Sequence, residues 1–265
     1  MKENFQAFKL GFKGYSRALS FIFKNKLSYF FLFPLLLNIL LFILGIQAVD
    51  YLSENINDYL LDLFFKEYTI SSWWSRFLNG FIYWTIWIVS KIIFIFIYAI
   101  VGGYLTIILL SPVFTFLSEK TAEIITGKKT KFNFIRFFKD IIRAILIALR
   151  NLLFQLSYSV LLFLISMIPV FGWIISLLGS FLISSYFYGF AFMDYANERN
   201  KLSIKESVVF VRKNKGFAIG VGGIFSLCFF IPIIGGILAS FLAVICVVNA
   251  TLGVEKISSE IRLVA

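Results

Sequence analysis

Apolar positions along this chain gather into long unbroken runs. Leu27 to Val49 is 23 residues without a charge, the length a helix needs to cross roughly 30 Å of hydrocarbon. Phe77 to Leu117 is 41 residues interrupted only by Lys91, Asn151 to Met193 is 43, and Gly216 to Val254 is 39. The last two are too long for one span and suited to two. Each carries the same punctuation in its middle, Ile168-Pro169-Val170-Phe171-Gly172 and Ile231-Pro232-Ile233-Ile234-Gly235. Proline removes a helix donor and glycine permits a sharp turn, so Pro169, Gly172, Pro232 and Gly235 predict two helical hairpins. The 16 to 18 residues before each proline reach only about 24–27 Å, and the turns are wholly apolar. Both features favour hairpins that dip into the bilayer over hairpins that cross it. A second echo is Phe21-Ile22-Phe23-Lys24-Asn25-Lys26 against Phe210-Val211-Arg212-Lys213-Asn214-Lys215, each leading into an apolar run.

Between these runs lie segments with a helical period. Phe5, Phe8, Phe12, Tyr15, Leu19 and Ile22 recur at steps of three and four, with Lys9, Lys13 and Arg17 on another face, the pattern of a helix lying among headgroups. Phe132 to Arg150 repeats it, Arg136, Lys139, Arg143 and Arg150 punctuating apolar positions. The predicted architecture is an all-α integral membrane protein: two long transmembrane helices, two hairpins and amphipathic interfacial helices in a single domain. Its parts are an amphipathic helix over 1–26, a transmembrane helix over 27–49, an external loop over 50–76 and a long transmembrane helix over 77–117. A cytoplasmic amphipathic segment over 118–150, hairpins over 151–193 and 216–254, and a cytoplasmic segment over 194–215 complete it.

Charge sets the orientation. Residues 1–26 hold six positive and one negative charge, 118–150 eight and three, and 194–215 six and three, whereas 50–76 holds two and five. The positive-inside rule therefore puts the N-terminus and the two later basic segments in the cytoplasm, with 50–76 outside. Lys91 reads as an interface lysine, its stem in lipid and its ammonium at the outer surface. That leaves Ile92 to Leu117 as the membrane part of its run, with Trp73, Trp74, Tyr83, Trp84 and Trp87 as an aromatic belt. The first apolar run starts late, is too long for a signal-peptide core and lacks a small-residue cleavage site, so no cleavable signal is expected.

Composition narrows the chemistry. Hydrophobic residues make up 60% and charged residues 15% of the 265, against about 25% charged in soluble domains. There is no histidine, which removes imidazole metal sites and His-based catalysis. No nucleotide-binding glycine motif is present. Cys228 and Cys246 sit inside apolar runs as small hydrophobes. The net charge of +11 points to lipid headgroups or anionic solutes and not to nucleic acid in a chain this apolar. No acidic residue lies inside a membrane run, which speaks against an acidic proton relay and against paired carboxylates. We expect no catalytic residue, no metal and no cofactor; the chain reads as a non-enzyme.

Basic residues instead stand where helices start. Lys24, Asn25, Lys26 and Ser28 precede the first membrane helix, where free backbone N–H groups and the dipole favour a tetrahedral oxyanion. Lys213, Asn214 and Lys215 repeat the arrangement. Anchoring of lipid phosphates is the other reading of both clusters.

Phe5 to Asn38, ending in Phe33-Pro34-Leu35-Leu36-Leu37-Asn38, resembles the start of the CysZ-type sulfate permease family. So do Ser111-Pro112-Val113-Phe114 with Glu119, Glu123 and Gly127, both Pro-Gly turns, and Asp194-Tyr195; the likeness runs from about 5 to 255. The resemblance implies an inner-membrane homo-oligomer with two long transmembrane helices and two membrane-dipping hairpins, admitting sulfate for cysteine synthesis. It also implies anion binding at a Gly-hydrophobic-Arg sequence ahead of the first membrane helix, to which Lys26, Leu27 and Ser28 correspond. The arginine is missing here; Lys24 and Lys26 replace it as point charges without the planar fork that grips an oxyanion. Two functions follow: an oxyanion permease with sulfate as its leading solute, and a non-transporting protein that organises lipid or a partner on the same fold.

Overall fold

A computed structural model describes residues 2–65, 77, 80–81, 83–89, 91–92, 108–127, 134–228, 230–231 and 234–264. The elements are α1 (Lys2–Lys24), a 3-10 turn (Ser28–Phe31), α2 (Leu32–Phe65), α3 (Ser111–Thr126), α4 (Phe134–Ser166), α5 (Phe171–Arg199), α6 (Ile204–Lys213), α7 (Lys215–Cys228) and α8 (Ile234–Val264). Among the described residues there is no strand. Four stretches of the described residues are long and apolar enough to cross a membrane: Ser28–Leu52, Ile141–Ser166, Phe171–Arg199 and Ile237–Ser259. The chain is an all-α, multi-pass membrane protein. It forms two compact units, one of residues 1–38 with 103–265 and one of residues 39–102.

In the larger unit, α7 is the central helix, buried along most of its length between α1, α5 and α8. Glycine lets it sit there. A Cβ on Gly220 would lie 2.5 Å from the Phe8 carbonyl oxygen of α1, and one on Gly222 would lie 2.0 Å from the Ser185 carbonyl oxygen of α5. Gly216 meets Asn4, Gly220 meets Phe8 and Gly11, and the Tyr15 hydroxyl donates to the Val221 carbonyl. The order of these pairs makes α1 and α7 parallel.

α1 therefore has three faces. Gly11, Gly14, Tyr15, Ala18 and Ile22 are buried against the protein, while Phe5, Phe12, Leu19 and Phe23 are exposed. Lys9, Lys13 and Arg17 occupy the remaining side. The sequence period placed Tyr15 and Ile22 on one apolar face with the phenylalanines; the structure separates them, because the small residues beside Tyr15 allow close packing.

α4 and α5 form an antiparallel hairpin closed at residues 167–170, with Gln155 donating to Ser184 at 2.9 Å and Ser176 to the Leu162 carbonyl at 2.6 Å. Both arms outrun the uncharged segment. α4 begins at Phe134, ahead of Arg143 and Arg150, and α5 ends at Arg199. Helices of 33 and 29 residues reach about 50 and 43 Å, longer than the uncharged run alone suggested. The reason is that Arg143 and Arg150 find partners inside the helix pair and do not end α4. The second hairpin differs: α7 has 14 residues, about 21 Å, and is enclosed by protein.

The two hairpin turns nevertheless share one hydrogen-bond pattern. Met167 donates to Leu164, Ile168 to Ile165 and Gly172 to Ile168, at 3.0–3.2 Å; Phe230 donates to Leu227, Ile231 to Cys228 and Gly235 to Ile231, at 2.9–3.1 Å. Gly172 and Gly235 are buried at matching places and Pro169 is exposed; Pro232 lies outside the described residues. The internal repeat in the sequence is thus a repeat of backbone geometry. Around the first turn Met167, Val170, Phe171 and Trp173 are exposed, an apolar tip that calls for lipid or protein cover.

In the smaller unit the expected external loop is corrected in its first part, since α2 continues to Phe65. Asp50, Glu54, Asp58 and Asp62 recur every fourth residue, and the helix continues through them in spite of the repulsion between like charges at that spacing. Lys91 pairs with Asp50 at 2.8 Å and lies over the Trp87 ring at 4.1 Å. Of the long helix expected over 77–117, residues 93–107 lie outside the described residues, as do Trp73 and Trp74 of the aromatic belt.

Candidate functional site: the basic turn between α1 and α2

The backbone after α1 closes as a Schellman motif. Lys26 N–H donates to the Phe23 carbonyl at 3.3 Å and Leu27 N–H to the Ile22 carbonyl at 2.9 Å, the two bonds that define this helix stop. The motif requires a left-handed residue between them, and Lys26 adopts it with φ 58°. Leu27 is the buried hydrophobic residue that follows. Glycine is the residue best suited to that position. Lys26 takes the conformation at a steric cost and adds a charge.

Asn25 caps α1, its side-chain amide donating to the Phe21 carbonyl at 2.8 Å and its backbone N–H to the same oxygen at 3.0 Å. Asn214 repeats both bonds to Phe210, at 2.9 and 3.0 Å. The chain then diverges. After Asn25 it turns through Lys26 and opens the 3-10 turn at Ser28; after Asn214 it runs straight into α7, with Ala218 N–H bonded to the Asn214 carbonyl at 3.1 Å. Lys24, Lys26, Ser28, Lys213 and Lys215 are all exposed. The structure does not bring the clusters together. Lys215 adjoins the start of α1 beside Asn4, and Lys24 ends that helix, about 30 Å further along.

What the structure does bring to the basic turn is α3. Phe30 meets Phe116 with tilted rings and centroids 6.0 Å apart, and Phe31 meets Phe241 of α8 at 5.9 Å. Lys120 on α3 bonds Glu123 at 2.8 Å, and the carboxylate holds the ammonium pKa above its ordinary value.

A second polar centre was not legible as a site. Arg143 of α4 holds Asp194 of α5 through Nε (3.1 Å) and Nη2 (2.9 Å), and its Nη1 donates to the Leu202 carbonyl. Ser207 donates to the same carboxylate and receives a bond from Asn197 at 2.9 Å. The pattern had read Arg143 as a headgroup cation; the one signal against that was Asp194, the first charge after 43 uncharged residues. Beside this centre lies an open cleft of about 590 Å³ lined by Lys139, Glu198, Lys201 and Glu206. A third centre joins α5 to α3 and α8: Arg199 donates to the Ser118 carbonyl at 3.1 Å and pairs with Glu255, which Asn200 also contacts at 3.2 Å. Among the described residues no group of three or more Cys, Asp or Glu is placed to hold a metal ion.

The family described as "Sulfate transporter CysZ/Etoposide-induced protein 2.4" matches residues 15–240. A "Sulfate transporter CysZ" of Vibrio parahaemolyticus serotype O3:K6 (strain RIMD 2210633) is 25% identical over 238 residues, covering 88% of this chain and 90% of that protein. Since the match takes in the basic turn, α3 and both hairpin turns, the chain belongs to the Sulfate transporter CysZ/Etoposide-induced protein 2.4 family.

Proposed function

We propose that the chain is an inner-membrane permease or channel for an oxyanion, with sulfate taken up for cysteine synthesis as its solute. The observation that carries this reading is the family match over residues 15–240, which includes the turn where cations and a starting helix meet. Lys24 and Lys26 supply the charge, and Asn25, Leu27 and Ser28 shape the turn that presents it. Two flexible ammonium groups attract an oxyanion without fixing its orientation. Binding of that strength suits a solute that has to leave again. Lys213, Asn214 and Lys215 serve the lipid phosphates at the other end of α1, and the N-terminus lies on the cytoplasmic side. The exposed apolar faces of α4 and α5 meet lipid and a second copy in a homo-oligomer.

The absence of the arginine at Ser28 favours the second reading, a non-transporting protein that organises lipid or a partner. Radiolabelled sulfate influx into proteoliposomes separates the two. Saturable influx above empty liposomes supports the permease; silence with sulfate, phosphate, molybdate and selenate alike leaves the non-transporting reading.

A further inference from the structure

The face of α3 that meets α8 carries a line of hydroxyl groups. Ser111, Thr115 and Ser118 follow one another at steps of four and three, which spaces them by about 6 and 4.5 Å along the helix axis. Ser118 lies 3.0 Å from the Thr251 hydroxyl of α8, within Ile237–Ser259, the most enclosed of the four described stretches long and apolar enough to cross a membrane. A line of small residues has an ordinary explanation in close helix packing. Two of these hydroxyls contradict it.

Ser111 is 0% and Thr115 4% exposed, yet neither Ser111 Oγ nor Thr115 Oγ1 has a hydrogen-bond partner. A helical threonine ordinarily satisfies itself on the carbonyl four residues back, as Thr121 does on Leu117 and Thr126 on Ala122, both at 2.8 Å. Burying an unsatisfied hydroxyl is costly, and alanine or valine would fill the same space without that cost. Ser226 Oγ and Asn197 Oδ1 are the other such atoms among the described residues, and service to a ligand is one of the reasons for which such a cost is retained.

The line also leads somewhere. The 3-10 turn Ser28–Phe31, next after the basic turn, packs on α3 through Phe30 and on α8 through Phe31. On the same stretch of α3, Arg199 donates to the Ser118 carbonyl. The line from Ser111 to Ser118 itself carries no charge. We infer that Ser111, Thr115, Ser118 and Thr251 form a track of the oxyanion between α3 and α8, each hydroxyl donating to it in turn as the two helices part. Neutral donors suit this task, because a buried cation would hold a dianion too tightly to release it. The inference rests on the permease reading above and names the route within it.

The test combines sulfate influx with thermal midpoint in detergent for Ser111→Ala, Thr115→Val, Thr115→Ser and the exposed control Thr126→Val. We expect Ser111→Ala and Thr115→Val each to slow influx about tenfold, the effect of one lost bond to a charged group, while their midpoints rise. Thr115→Ser and Thr126→Val retain influx. Loss of activity with gain of stability is a pairing that a packing role does not produce. Influx within twofold of the native protein in Thr115→Val overturns the track and leaves the permease standing. So does equal loss in Thr115→Val and Thr115→Ser, which would assign the effect to shape. A native protein silent for every oxyanion overturns both readings.

Discussion

Arg143 on α4 and Asp194 on α5 meet through two parallel hydrogen bonds of 3.1 and 2.9 Å, with side chains only 14% and 6% exposed. The pair is held on both sides, Arg143 by the Leu202 carbonyl and Asp194 by Ser207. It thus ties the first hairpin to the loop that leads into α6. Removing one partner strands the other charge out of water, at about 3–5 kcal/mol. Arg143→Met and Asp194→Leu are each expected to lower the thermal midpoint sharply, and the double substitution to recover most of the loss. A double-mutant cycle on apparent midpoints measures this; additive losses would show that the pair is not coupled.

Neighbouring glycines on α7 should respond with opposite signs. A Cβ on Gly222 would lie 2.0 Å from a backbone oxygen of α5, whereas one on Gly223 meets nothing nearer than 4.0 Å. Gly222→Ala has to push two helices apart and is expected to cost several kcal/mol. Gly223→Ala fills open space and gains about 0.5–1 kcal/mol of helix propensity. Size-exclusion profiles and melting of the two variants check the contrast.

The turn after α1 offers a gain. Lys26 holds φ 58°, a conformation that costs a residue with a side chain about 1 kcal/mol relative to glycine. Lys26→Gly is expected to raise the melting temperature while removing one of the two cations of the turn. A lower melting temperature would mean that the lysine side chain contributes more than its strained backbone loses.

Acid should loosen α6 from its start. Ser203 accepts from Glu206 N–H, and the Glu206 carboxylate accepts from Ser203 N–H at 2.7 Å, which lowers the Glu206 pKa below its ordinary value. A carboxyl whose folded pKa is depressed stabilises above its unfolded pKa and loses that contribution as pH falls through the folded one. Amide exchange in the first turn of α6 is therefore expected to quicken, relative to Glu206→Gln, between neutral pH and about pH 3. Equal exchange in both proteins across that range would remove the cap from the account.

Much of this fold was legible because hydrocarbon allows a chain few options. Charge-free runs marked the membrane helices, and the Ile-Pro-x-x-Gly repeat marked two turns whose backbone bonds match. The Asn25 and Asn214 caps were equally present in the two six-residue echoes. What sequence could not supply was the partner of each charge. Arg143 reads as a cation on the polar face of an amphipathic helix because Asp194, 51 positions on, is not visible as its neighbour. The four-residue period of Asp50 to Asp62 was in plain view, but acidity was read as a loop and not as a helix face. At the candidate site, the basic residues were found by position alone. The left-handed turn that places Lys26, and the unsatisfied hydroxyls of Ser111 and Thr115, are facts of packing that no local pattern encodes.

The proposed function requires that an oxyanion is carried and that the α1–α2 turn receives it. Its most direct test is radiolabelled sulfate influx into proteoliposomes by the native protein and by Lys24→Ala/Lys26→Gly, which removes both charges while keeping the turn. Saturable influx that the double variant loses, with its melting temperature preserved, is the expected result. Influx that survives the loss of both lysines would contradict the site, and no influx by the native protein would contradict the function.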